Sequence, residues 1–148
     1  MKPKSFLIID DDADETELFH EAMENIDRSV SCHKAINGKD AFQKLSDQEI
    51  VRPDLIFLDI NMPVMNGWQF LTRIKDTLSL KDIPVIMYST SALTTDAKNA
   101  ISAGALCFVT KPNSFHQLEK VLETVIHHIK NDKLPDVCVA INKLLFPG

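Results

Sequence analysis

Leu55-Ile56-Phe57-Leu58-Asp59-Ile60-Asn61-Met62-Pro63 opens with four apolar residues in a row and then stops on a carboxylate. A short, unbroken apolar run of this kind fits a strand covered on both faces, as in a parallel sheet. Asn61, Pro63, Asn66 and Gly67 follow closely, and all four favour turns. An acid at the C-terminal end of a central parallel strand lies where open α/β sheets keep their ligands. Taken alone, Asp59 has a plainer reading, as a cap for the next helix or a partner for loop amides. Its meaning therefore depends on what the rest of the chain brings beside it.

Upstream, Phe6-Leu7-Ile8-Ile9 is a second apolar run, ending in Asp10-Asp11-Asp12. Leu18, Ala22 and Ile26 then recur every four residues, with Phe19 and Met23 beside them, which predicts an amphipathic helix. Asp14, Glu15 and Glu17 near its start suit the positive end of the helix dipole. Val30 to Ala35 reads as a more polar strand, broken at Asn37-Gly38, before Ala41, Phe42 and Leu45 mark a second helix. Downstream, Phe70, Leu71, Ile74 and Leu78 mark a third helix. Pro84 to Tyr88 is a strand ending in Ser89-Thr90-Ser91. Asp96 to Gly104 is a short helix closed by its glycine, and Leu106 to Val109 is a strand ending in Thr110-Lys111-Pro112. Phe115, Leu118, Val121, Leu122, Val125, Ile126 and Ile129 form the strongest helical stripe in the chain.

Strand and helix thus alternate five times, which calls for a parallel sheet between helical layers. Right-handed crossovers leave a doubly wound α/β layer as the simplest topology. Asn131 to Pro135 reads as a break. Beyond it Val137, Ala140, Ile141, Leu144 and Leu145 keep helical spacing, with Asp136 as a candidate N-cap and Pro147-Gly148 as the stop. Val137, Val139 and Ile141 also alternate as a strand would. The expected organisation is one domain over residues 1–130 and a C-terminal extension over 131–148, too small to be an output domain.

At 148 residues the chain suffices for one domain with its own core. A net charge of -5 argues against nonspecific binding to nucleic acid or to an anionic membrane, which needs a basic face. No apolar run approaches a membrane span, and the N-terminus lacks the pattern of a signal peptide. The three cysteines, Cys32, Cys107 and Cys138, are odd in number and lack CxxC spacing. They fit a reducing cytoplasm better than a disulfide framework. A cytoplasmic protein is the expectation.

In the predicted sheet the ends of the first, third, fourth and fifth strands converge at one edge. They would bring together Asp10 and Asp11, Asp59, Ser89 with Thr90, and Lys111. Carboxylates packed closely raise one another's pKa unless a cation intervenes. Mg²⁺ suits such a set, because it takes oxygen ligands and retains several waters. The Lys111 ammonium and Ser89 hydroxyl would then offer charge and a hydrogen bond to a further anion. A metal, a cation and a hydroxyl around one nucleophilic carboxylate is what phosphoryl transfer to aspartate requires. Each residue has a plainer reading by itself: helix-start acids, a surface lysine, a loop hydroxyl. Only their joint placement points to chemistry. By contrast, His20, His116, His127 and His128 read as solvated, and His33 lies near a strand without a ligand-like partner in spacing. Trp68 and Phe70 read as helix packing, and Cys107 as a buried strand residue.

The combined pattern resembles the receiver domain of two-component response regulators. It comprises Ile9-Asp10-Asp11, then Asp59-x-Asn61-Met62-Pro63-x-Met65-Asn66-Gly67, then Pro84-Val85-Ile86-x-x-Ser89, then Ala103-Gly104-Ala105-x-x-Phe108-x-x-Lys111-Pro112. Ser89 follows Asp59 by 30 positions and Lys111 follows Ser89 by 22, intervals that also agree with the family. The resemblance covers about Lys4 to Ile129. It implies a flavodoxin-like five-stranded parallel sheet of order 2-1-3-4-5. It also implies that Asp59 accepts a phosphoryl group from a histidine kinase or phosphotransfer protein. Asp11, Asp59 and the backbone carbonyl of Asn61 would ligate Mg²⁺, with Asp10 helping through water. Lys111 would pair with the phosphoryl oxygens, aided by a Lys111-Pro112 bond that is cis in relatives. Ser89 and Phe108 would form the switch that changes a protein-binding surface of the fourth helix, fifth strand and fifth helix.

These expectations add up to a stand-alone switch acting on an unknown effector protein. It would be a monomer or weak homodimer, without direct nucleic-acid or membrane contact and without an enzyme activity of its own beyond transfer to and slow loss from Asp59. Phe108 stands where tyrosine is common, and Thr90 where a smaller residue is frequent. Two alternatives are set against this reading. One is a receiver-fold interaction module indifferent to phosphorylation. The other is a haloacid-dehalogenase-type phosphatase, for which Asp12-Ala13-Asp14-Glu15-Thr16 spells the DxDxT signature but no downstream acidic motif follows.

Overall fold

A computed structural model describes residues 3–91 and 93–147. Five strands, β1 (Ser5–Ile9), β2 (Ser31–Ala35), β3 (Leu55–Leu58), β4 (Val85–Ser89) and β5 (Cys107–Thr110), alternate with α1 (Ala13–Ile26), α2 (Gly38–Ser46), α3 (Gly67–Lys75), α4 (Thr94–Ser102) and α5 (Phe115–Lys130). The sheet runs β2-β1-β3-β4-β5 with every neighbouring pair parallel, the flavodoxin-like order.

Two cores follow from the strand period of two. Phe6 and Ile8, Leu55 and Phe57, Ile86 and Tyr88, and Cys107 and Val109 all enter one apolar cluster, shared with α1 and α5. The alternate residues, among them Leu7, Ile9, Ile56, Leu58, Val85 and Met87, enter a second cluster, shared with α2, α3 and α4. Phe57 anchors the first cluster edge-on, its ring centroid 4.9 Å from Phe19 and 6.2 Å from Tyr88. Because β1 and β3 are apolar on both faces, they occupy the middle of the sheet, and the polar β2 takes an edge.

Several local expectations are corrected. Of the expected α1 face, Phe19, Ala22 and Met23 are buried, together with Thr16, and Ile26 packs against them, but Leu18 is 46% exposed and lies off it. Leu78 lies beyond the end of α3 and is 80% exposed. His20 is half-buried rather than solvated, and its Nε2 is buried without a hydrogen-bond partner. In the extension, helical spacing prevails over alternation, giving α6 (Val137–Leu145) after a 3₁₀ turn at Leu134–Asp136. Asp136 does not cap it with its side chain. The proposed stop includes Gly148, outside the described residues.

Val137 and Ile141 are fully buried in the α1/α5 cluster, so α6 packs onto the body of the fold. The cysteine reading is also overturned: Cys107 of β5 and Cys138 of α6 are joined as a disulfide, with Cα atoms 5.6 Å apart. Spacing rules could not anticipate this pair, because packing of α6 is what brings the two residues together. Cys32 is free and half-buried.

Candidate functional site

The chain is steered to the C-terminal edge of the sheet by backbone bonds that follow the strands. Asp59 N–H donates to the carbonyl of Ile9 at 2.9 Å, fixing the ends of β1 and β3 side by side. Lys111 N–H donates to the carbonyl of Ser89 at 2.7 Å, doing the same for β4 and β5. After Asp59 the chain turns sharply into α3. Gly67 N–H donates to the Ile60 carbonyl at 2.9 Å, and Asn66 closes a capping box with Gln69. A Cβ at position 67 would collide with the Asp59 carbonyl oxygen and sit 2.8 Å from Ile60 Cα, so only glycine permits this approach. Val64, in the same loop, holds φ 70, which is strained for a β-branched residue.

Five side chains meet in the pocket so formed: Lys111, Asp10, Asp11, Asp59 and Glu15. The Lys111 ammonium lies 3.0 Å from Asp10 Oδ2 and 3.3 Å from Asp59 Oδ1, and it is also bonded to Glu15 Oε2. Its side chain is only 11% exposed, that of Asp10 2% and that of Asp59 9%. Ligand atoms of Asp10, Asp11 and Asp59 all lie within 4.8 Å of one another. Among the described residues, no other group of three or more acids, histidines or cysteines converges in this way. Ser89 is buried at the end of β4, and its Oγ accepts from Ser91 N–H at 3.2 Å. Phe108 is half-buried against the cluster shared with α2, α3 and α4. Asn61 is exposed in the loop after Asp59. Thr90 is exposed.

The charges explain the titration behaviour. Burial, and then the Asp10 carboxylate, raise the pKa of Asp59 against the opposing pull of Lys111. Glu15 is raised as well, by burial and by the neighbouring Asp10 carboxylate, against the pull of Lys111. Burial works to lower the pKa of Lys111, but its bond with Glu15 and the charges of Asp10 and Asp59 prevail and raise it. One ammonium thus faces more negative charge than it can neutralise. Hard oxygen donors with excess charge fit a divalent cation of the Mg²⁺ kind.

Glu15 was missed at this site. Its place in the first turn of α1 suggests only a dipole contact, and nothing in the sequence marks its reach to Lys111. The expected cis bond is also corrected: the Lys111-Pro112 peptide is trans, as are all peptide bonds among the described residues. Asp12 caps α1, its Oδ1 accepting from Asp14 N–H at 2.9 Å and Glu15 N–H at 3.3 Å. That engagement leaves the DxDxT acid bound to backbone rather than poised as a nucleophile.

The response regulator receiver domain family matches residues 6–123. The chain belongs to this family. Similar receiver-containing proteins include protein-glutamate methylesterase/protein-glutamine glutaminase 1 of Methanosarcina mazei, 36% identical over 118 residues, covering 77% of this chain and 31% of that protein. Transcriptional regulatory protein CrdR of Helicobacter pylori is 29% identical over 145 residues, covering 98% of this chain and 65% of CrdR. The chain therefore spans about a third of the methylesterase and about two thirds of CrdR. Among solved structures, the phosphorylated cyanobacterial phytochrome response regulator RcpA superposes with a TM-score of 0.77 at 28% identity, over 84% of this chain and 92% of RcpA. The Mn²⁺-bound form of response regulator Rcp1 gives 0.74 at 27%, over 83% and 91%. Receiver domains are phosphoacceptor signalling modules, and this chain has their fold. No helix among the described residues is long and apolar enough to cross a membrane.

Proposed function

We propose that this receiver accepts a phosphoryl group on Asp59, with Mg²⁺, from a histidine kinase or phosphotransfer protein, and that the modification alters binding of an effector protein. The observation that carries the reading is the Lys111 ammonium 3.3 Å from Asp59 Oδ1, beside an acid set that fits a divalent ion. Asp10, Asp11, Asp59 and the Asn61 carbonyl would hold that ion, which when bound supplies charge neutralisation for the incoming phosphoryl group. The Mn²⁺-bound state of Rcp1 and the phosphorylated state of RcpA support both halves of the reading by likeness.

In the step itself, an Asp59 oxygen attacks phosphorus in line, the bond from phosphorus to the donor nitrogen breaks, and the imidazole leaves. Lys111 meets the negative charge on the transferred group, exchanging carboxylate contacts for phosphoryl ones. Ser89 turns its hydroxyl toward that group, and Phe108 moves with it as the second part of the switch. The receiver unit spans 1–130, with 131–148 as an appended segment. The setting is cytoplasmic, the assembly a monomer or weak homodimer, and the partners are proteins rather than nucleic acid or membrane.

Incubation with acetyl phosphate and Mg²⁺, followed by intact-mass measurement, should show one added phosphoryl group. Asp59→Ala should show none. Unmodified wild-type protein under conditions that label another receiver would overturn the proposal, as would equal labelling of the variant.

A further inference from the structure

We propose that Cys107 and Cys138 form a redox latch fastening α6 to β5, a thiol–disulfide input that operates whether or not Asp59 carries a phosphoryl group. Two cysteines 31 residues apart are brought to a Cα separation of 5.6 Å, within the range that a disulfide spans. α6 lies outside the residues matched to the receiver family and packs against both α5 and β5. Its inner face, with Val137 and Ile141, belongs to the same cluster as Ile126 and Ile129 of α5. The latch therefore decides how firmly an added helix covers that part of the fold.

The two sulfurs are unequal. Cys107 is 1% exposed, whereas Cys138 is half-buried, so a reagent reaches Cys138 first. Cys32 does not compete as a thiolate, since burial pushes its thiol up to about 12. Closing begins when the Cys138 thiolate attacks a low-molecular-weight disulfide and expels one thiol. The Cys107 thiolate then displaces the second, leaving one protein disulfide and two small thiols. Two electrons and two protons have passed from the protein to the small disulfide. Opening reverses this, a dithiol attacking Cys138 and becoming a cyclic disulfide. The Cys138 sulfur lies 3.0 Å from the Leu106 carbonyl oxygen in the closed form, which places an acceptor beside the thiol that opening releases. Disulfides that occur in a reducing cytoplasm are mostly transient and regulatory, which suits a pair that toggles.

When α6 lifts, the slack segment runs from the end of α5 at Lys130 to Cys138. Closing a loop of roughly eight residues makes such lifting about 60-fold rarer in the disulfide form. The test is amide hydrogen exchange over residues 134–146 of the full chain, after oxidised glutathione or after a phosphine reductant. Alkylation under denaturant counts the thiols in parallel. The expected result is one alkylated cysteine and slow exchange in the oxidised protein, against three and roughly 60-fold faster exchange in the reduced protein. Cys138→Ser should exchange like the reduced form in both conditions. Three free thiols after oxidation would overturn the latch. So would equal exchange in the two states, or a Cys138→Ser variant that still slows under oxidant.

Discussion

Lys111→Met isolates what the ammonium contributes to the acidic pocket while keeping a side chain of similar length. In the native pocket Lys111 bonds Asp10 at 3.0 Å and Glu15, and lies 3.3 Å from Asp59. Removing it strands three carboxylates, two of them nearly inaccessible to water. Breaking a buried pair costs about 3–5 kcal/mol. Glu15 is 37% exposed and can turn to solvent, which favours the lower end, about 3 kcal/mol. For a chain of this length that lowers the melting temperature by roughly 6–12 °C. If a divalent ion binds at Asp10, Asp11 and Asp59 as proposed, it would replace the missing charge, and ligand at 100 times its Kd would contribute about 2.7 kcal/mol. Urea unfolding in EDTA and in Mg²⁺ measures both effects. The variant should be clearly weaker in EDTA, and the gap to wild type should narrow in Mg²⁺. Equal stability of the two proteins in EDTA, or a gap that Mg²⁺ leaves untouched, would refute the electrostatic account of this pocket.

Gly67→Ala should cost about 1–3 kcal/mol in urea unfolding, because its clash is with the backbone of Asp59 and Ile60 rather than with a side chain that can rotate away. An unchanged midpoint would mean that the loop gives way freely. Val64→Asn should stabilise by about 1 kcal/mol, since asparagine tolerates the left-handed backbone better than valine does, and a lower melting temperature would contradict that. Lys130 and Ser29 hold the Asp27 carboxyl down to about 2, below its unfolded value. That contribution is present above the unfolded pKa and disappears as pH falls through the folded one. Lys130 is 40% exposed, so solvent screening limits the contribution to about 0.5–1 kcal/mol. Asp27→Asn should therefore trail wild type at pH 7 and match it near pH 2; a constant difference across that window would argue against the pairing.

The sheet and its ligand edge were legible because the deciding residues speak through local pattern. Apolar quartets such as Leu55–Leu58 stop at Asp59, and the chain direction alone then gathers Asp10, Ser89 and Lys111 at one edge. What stayed hidden depends on reach or on phase. Glu15 enters the site through a long side chain that crosses from α1 to Lys111. Leu18 is as apolar as Phe19, and only packing against Phe57 and Tyr88 turns Phe19 inward while Leu18 stays at the surface. The disulfide and the seating of α6 arise from contacts across 31 residues, which no spacing rule encodes.

Cys107 and Phe108 are consecutive in β5, yet their side chains serve opposite layers of the molecule. A single peptide plane separates a sulfur bridge on one side from an aromatic ring on the other. The ring turns about its own side-chain bonds, so it can be reseated without moving the peptide plane that carries the bridge. The last strand thereby sets the proposed latch and the proposed switch ring back to back, each turned toward its own layer, in keeping with a latch that works whether or not Asp59 is modified.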